Sequence, residues 1–121
     1  MAFRVKIAPR AFQDMDEIAE YIKGRASFEQ AEEWFNGITA ALRSLEHMPN
    51  RFPIADVSED LGEEVRVLLY GSRNRKYKVY YSVRQETSST GAVRVFHVRH
   101  RARKGLNTRQ LRQLMDELPD E

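Results

Sequence analysis

The 121-residue chain has no cysteine. Disulfides, thiol nucleophiles and zinc sites built on cysteinate are therefore excluded, and the absence suits a reducing compartment. Long apolar runs are missing too. The opening MAFRVKIAPR holds no stretch fit for a secretory signal. Nothing later reaches the roughly 20 apolar residues of a membrane-spanning helix. A cytoplasmic protein with no membrane partner is expected. Histidine is scarce, with only His47, His97 and His100. His97 and His100 lie three apart in an alternating segment, which sends them to opposite faces, so no metal is expected. Gly71 and Gly91 stand alone rather than in a phosphate-cradling loop. No Ser-His-Asp arrangement can be inferred, and no cofactor is expected.

What is present is the balance of a globular chain, 41% apolar and 31% charged. One domain over residues 1–121 fits that length. The net charge of +2 hides a split. Residues 1–60 carry seven basic and eleven acidic side chains, residues 61–109 twelve and three, and residues 110–121 one and four. An acidic first half, a basic second half and an acidic tail imply a basic surface for an anionic partner, a nucleic acid or an acidic protein segment.

Phe3-Arg4-Val5-Lys6-Ile7 alternates as a half-buried strand does, and Pro9 ends it. The spacing of Phe12, Met15, Ala19 and Ile22 predicts a helix from Pro9 to Lys23, stopped by Gly24. Ser27 and Gln30 form a capping-box pattern at the start of a second helix. Its stripe runs through Ala31, Trp34, Phe35, Ile38, Ala41, Leu42, Leu45 and Met48 to Pro49. A loop over 49–64 leads to three strands, at 65–70, 77–83 and 93–99, expected to form an antiparallel meander. Leu111, Leu114, Met115 and Leu118 predict a short helix over 107–118. The order β-α-α-β-β-β-α predicts an α+β fold of two layers, a helical hairpin on a small antiparallel sheet.

That order, together with particular segments, resembles the RelE/ParE superfamily of toxins. The segments are Phe12 to Ile18, Ala31-Glu32-Glu33-Trp34-Phe35, the junction Leu45 to Pro53, the strand Tyr77 to Val83, and above all Val93 to Arg103. The likeness covers about residues 3–104. It implies the toxin half of a type II toxin–antitoxin pair, a growth inhibitor silenced by a cognate antitoxin laid over its basic surface.

Two branches imply different chemistry. The RelE branch implies metal-independent cleavage of mRNA on the ribosome. That reaction needs a base for the ribose 2′-OH, cations at the phosphate and an acid at the leaving oxygen. Arg73, His100 and Arg101 are the catalytic candidates: two phosphate-binding guanidinium groups and an imidazole able to act as acid or base. Arg66, Arg75, Lys76, Lys78, Tyr80, Arg99 and Arg103 are the candidates for binding a partner or nucleic acid, with Tyr80 able to stack on a base. Glu59 or Glu63 are further candidates for the base. The ParE branch implies trapping of DNA gyrase on cleaved DNA without catalysis by the toxin. The stretch Ala55 to Glu64 is acidic where RelE-type chains place lysines, and Asn107 stands about where a catalytic tyrosine is expected. The long hairpin and the Pro49 to Pro53 junction are closer to ParE. Gyrase inhibition is therefore the leading expectation. The endoribonuclease, and a non-toxic antitoxin-binding or RNA-binding protein, stand as alternatives.

Overall fold

The computed structural model describes residues 3–55, 64–71, 76–101 and 108–116. Strand β1 is Arg4–Ile7 and helix α1 is Pro9–Arg25, with Pro9 in its first turn, where a missing N–H costs nothing. Helix α2 is Phe28–Arg43, and the Ser27 hydroxyl accepts the Gln30 N–H at 3.0 Å. Strands β2 (Val65–Tyr70), β3 (Tyr77–Gln85) and β4 (Gly91–His100) follow, then helix α3 (Thr108–Asp116). The sheet order is β1-β4-β3-β2. β2, β3 and β4 form the expected antiparallel meander, and β1 closes the other edge parallel to β4. The hairpin packs on one face of the sheet, so the α+β order read from the sequence is the order of the fold.

The core lies between hairpin and sheet. Met15, Ile38, Leu42 and Leu45 are fully buried against Val79, Tyr81, Val93 and Val95. Each such aliphatic side chain contributes about 1.5–3 kcal/mol over leaving it in water. Close approach is tightest at Gly37, where an added Cβ would overlap the Tyr70 hydroxyl. A second cluster sits on the opposite face, where Leu114 and Met115 of α3 cover Val65, Tyr80 and Phe96.

Three expectations are corrected. The buried stripe of α1 is Ala11, Asp14 and Met15, with Ile18 beside it, while Phe12 is 46% exposed. Nor does Gly24 stop this helix, which runs on to Arg25. Helix α2 also ends early, at Arg43, because residues 44–46 form a 3₁₀ turn; Leu45 stays buried on the stripe, but Met48 leaves it. Met48 is 74% exposed in the left-handed conformation (φ 49°, ψ 55°). Pro49 keeps Met48 out of the right-handed helical region, so the helix cannot continue through it. Arg51 then satisfies the frayed helix end, donating to the carbonyls of Ser44, His47 and Met48 and to the Ser44 hydroxyl.

Tyr81 ties this junction to the sheet. It is fully buried and its hydroxyl donates to the Pro49 carbonyl at 2.6 Å. Burial pushes its pKa up to about 12, partly opposed by the Arg66 and Arg51 guanidinium groups. The neutral phenol is thus favoured by the fold. Its contribution is whole below pH 10 and is lost as pH rises from 10 to about 12. Tyr81→Phe is expected to cost about 1–2 kcal/mol at pH 7, through the orphaned carbonyl. It should also flatten the loss of stability across that alkaline window. Urea unfolding at pH 7, 9 and 11 measures both.

Candidate functional site

Along β4 the alternation changes phase once. Tyr80 pairs with His97 but Tyr81 pairs with Val95, so Phe96 is an extra residue on β4. The bulge lets apolar residues of both phases along β4 be buried. Val93 and Val95 face the hairpin before it, Val98 faces the hairpin after it, and Phe96 joins the cluster under α3. His97 and His100 fall on opposite faces, as their spacing implied. His97 stacks on Tyr80 (6.1 Å, 27°) and His100 meets the edge of Tyr77 (5.1 Å, 81°).

The bulge lies where β1 runs out. The Ala8 N–H reaches the Val95 carbonyl at 2.8 Å, and past that point α1 leaves the β4 edge open. Asp14 closes it. Its Oδ2 accepts the buried Val98 N–H at 3.1 Å and stands 2.7 Å from His97 Nδ1. The imidazole is in ion-pair range but off the line of a directed hydrogen bond. Arg10 Nε approaches Oδ1 at 3.4 Å from the solvent side. Asp14 was missed in the sequence because acidic residues crowd that turn. The signal was its spacing, three after Ala11 and four before Ile18, on the buried stripe.

Beside this carboxylate an open cleft of about 970 Å³ separates α1 and the start of α2 from the end of β4. Arg10, Tyr21, Arg25, Trp34, Tyr77 and His100 line it. Trp34 meets Tyr77 edge-on at 5.1 Å, and its buried Nε1 has no hydrogen-bond partner among the described residues.

The sequence-predicted residues separate into several places. Lys78, Tyr80 and Arg99 lie on the face turned from the hairpin, with Lys78 opposite Arg99. Arg66 is in the alternate register, on the Leu68 side, and its guanidinium donates to the Phe52 carbonyl and to Glu64, both at 2.6 Å. His100 is in the aromatic stack. Arg101 is exposed, with its N–H on the Lys76 carbonyl at 2.8 Å. Arg73, Arg75, Arg103, Glu59, Glu63 and Asn107 lie outside the described residues. Among the described residues no group of three His, Asp or Glu is placed to hold a metal ion, and no helix is long and apolar enough to cross a membrane.

The fold has known counterparts. A chain of the chromosomal ParDE TA system from P. aeruginosa superposes with a TM-score of 0.64 at 15% identity, covering 81% of this chain and 95% of that one. No curated protein matches the sequence. The family model described as ParE toxin of type II toxin-antitoxin system, parDE, matches residues 5–105. Spanning β1 to the end of β4, that match shows that the chain belongs to the ParE toxin family of type II toxin–antitoxin systems.

Proposed function

We propose that this chain is a growth-inhibiting toxin whose target is DNA gyrase, acting in the cytoplasm and silenced by an antitoxin encoded beside it. The ParE match over residues 5–105 carries the reading. The acidic stretch from Ala55 to Glu64, where RelE-type chains place lysines, supports it from the other side, since it would repel an RNA backbone.

The test is induced expression in a bacterium, with DNA damage and translation followed together. A DNA-damage response that precedes any fall in translation is expected. Cleaved DNA should accumulate when purified chain is added to gyrase. His100→Gln should keep growth inhibition within about threefold, whereas loss of a general acid or base costs roughly 10²–10⁴-fold. Rapid translation arrest with mRNA cut inside codons would replace this reading with the endoribonuclease.

A further inference from the structure

The sequence split between acidic and basic halves becomes a split between layers. Exposed acids crowd the hairpin: Asp16, Glu17 and Glu20 on α1, and Glu29, Glu32 and Glu33 on α2. The far face of the sheet is cationic. Register places Arg4, Ala92 and Arg84 in one row, and Lys6, Arg94 and Ser82 in the next. Past Tyr80, which α3 covers, Lys78 and Arg99 form the row at the other end. Over the gap between these ends, α3 carries exposed Arg109 and Arg112.

We infer that this face is a landing surface for the phosphate backbone of double-stranded DNA. The patch is two-dimensional. Neighbouring rows of strands are about 4.8 Å apart, and Arg84 lies six residues from Lys78, about 20 Å along β3. That span matches roughly six base pairs of duplex. Six of the eight cations are arginines, whose planar fork suits phosphate oxygens. A protein partner would call for exposed apolar anchors. Here the apolar side chains of this face lie beneath α3, and Leu69 at the β2 edge is the exposed exception among the described residues. A polar, positively charged surface is the composition of a DNA interface. Glu86 pairs with Arg4 at 3.1 Å with both side chains about half exposed. An exposed pair of that kind exchanges readily for phosphate. The gyrase reading supplies the DNA, the segment that enzyme holds, and the inference rests on that reading for its biological setting only.

The experiment is fluorescence anisotropy of a labelled 20-base-pair duplex of arbitrary sequence with the purified full chain at 50 and 200 mM KCl. With about four phosphates engaged, affinity should fall on the order of 100-fold between the two salts. Lys6→Glu with Arg84→Glu, both at exposed positions, should weaken binding at 50 mM at least tenfold and make the salt dependence shallower. Lys23→Glu with Arg43→Glu removes the same charge from the hairpin layer and should change affinity less than twofold. Matching melting temperatures would show that both double variants fold.

No binding by the parent chain would overturn the inference, and so would equal losses in the two double variants. Loss of antitoxin affinity in the sheet variant, with duplex binding intact, would assign the face to an acidic protein segment instead. Gyrase trapping is assayed in parallel. A chain that binds duplex without trapping gyrase keeps this surface and loses the target. One that traps gyrase without binding duplex does the reverse.

Discussion

Asp14→Ala is expected to lower the unfolding free energy by about 3 kcal/mol. The substitution leaves the buried Val98 N–H with no acceptor, and an orphaned buried donor costs about 1–3 kcal/mol by itself. It also strips His97 of the carboxylate 2.7 Å from its Nδ1, in a place where both side chains are about nine-tenths buried. For a chain of this size the melting temperature should fall by roughly 10 °C. Asp14→Asn is the informative partner. Its amide oxygen still accepts from Val98, and its amide N–H can meet a neutral imidazole nitrogen. About 1 kcal/mol is expected for it. Urea unfolding of the two variants decides the matter. An alanine variant within 0.5 kcal/mol of the parent would mean that water or a shift of α1 closes the β4 edge just as well.

The same residue shows what the sequence could and could not disclose. Element order was legible because each element carries its own period. Arg4 to Ile7 alternate, Ser27 caps α2, and the spacing from Ala31 to Leu42 repeats at 3.6 residues. The bulge was not legible. Val93, Val95, Phe96 and Val98 are all apolar, and one extra residue lets both phases be buried. Periodicity cannot tell a bulged strand with two buried faces from a regular one with a doubtful register. Phe12 misled for a related reason. It sits one position from Ala11, and the larger apolar side chain drew the stripe toward itself, although the small residue is the one that lets α1 approach the sheet.

For the candidate site, legibility followed charge rather than position. The basic second half was evident, and Lys78, Tyr80 and Arg99 do share the face away from the hairpin. Arg66 was indistinguishable from them in sequence. Only the register shows that it occupies the Leu68 side, tied to the Phe52 carbonyl and Glu64. Pairing across strands is a long-range property, so a cation's face is known only once its strand is aligned.

The second large effect concerns Trp34, where packing and hydrogen bonding can be separated. Its ring meets Tyr77 at 5.1 Å and Tyr70 at 6.3 Å, both edge-on, and Tyr77 in turn holds His100. Each such aromatic pair is worth about 0.5–1.5 kcal/mol beyond the area it buries. Trp34→Ala should therefore cost about 3–4 kcal/mol, in the range of large aromatic truncations. It should also loosen the wall of the cleft on the side of His100. Trp34→Phe removes the buried, unpartnered Nε1 and keeps a ring of the right kind. The two changes oppose each other, and the net loss should stay below about 1 kcal/mol. Chemical denaturation followed by far-ultraviolet circular dichroism reads both variants without relying on the tryptophan itself. If phenylalanine costs as much as alanine, the indole N–H is engaged after all, by a water or a partner group seated in the cleft. If phenylalanine is nearly silent, Trp34 is a packing residue that fixes Tyr77 and His100 through its ring edges.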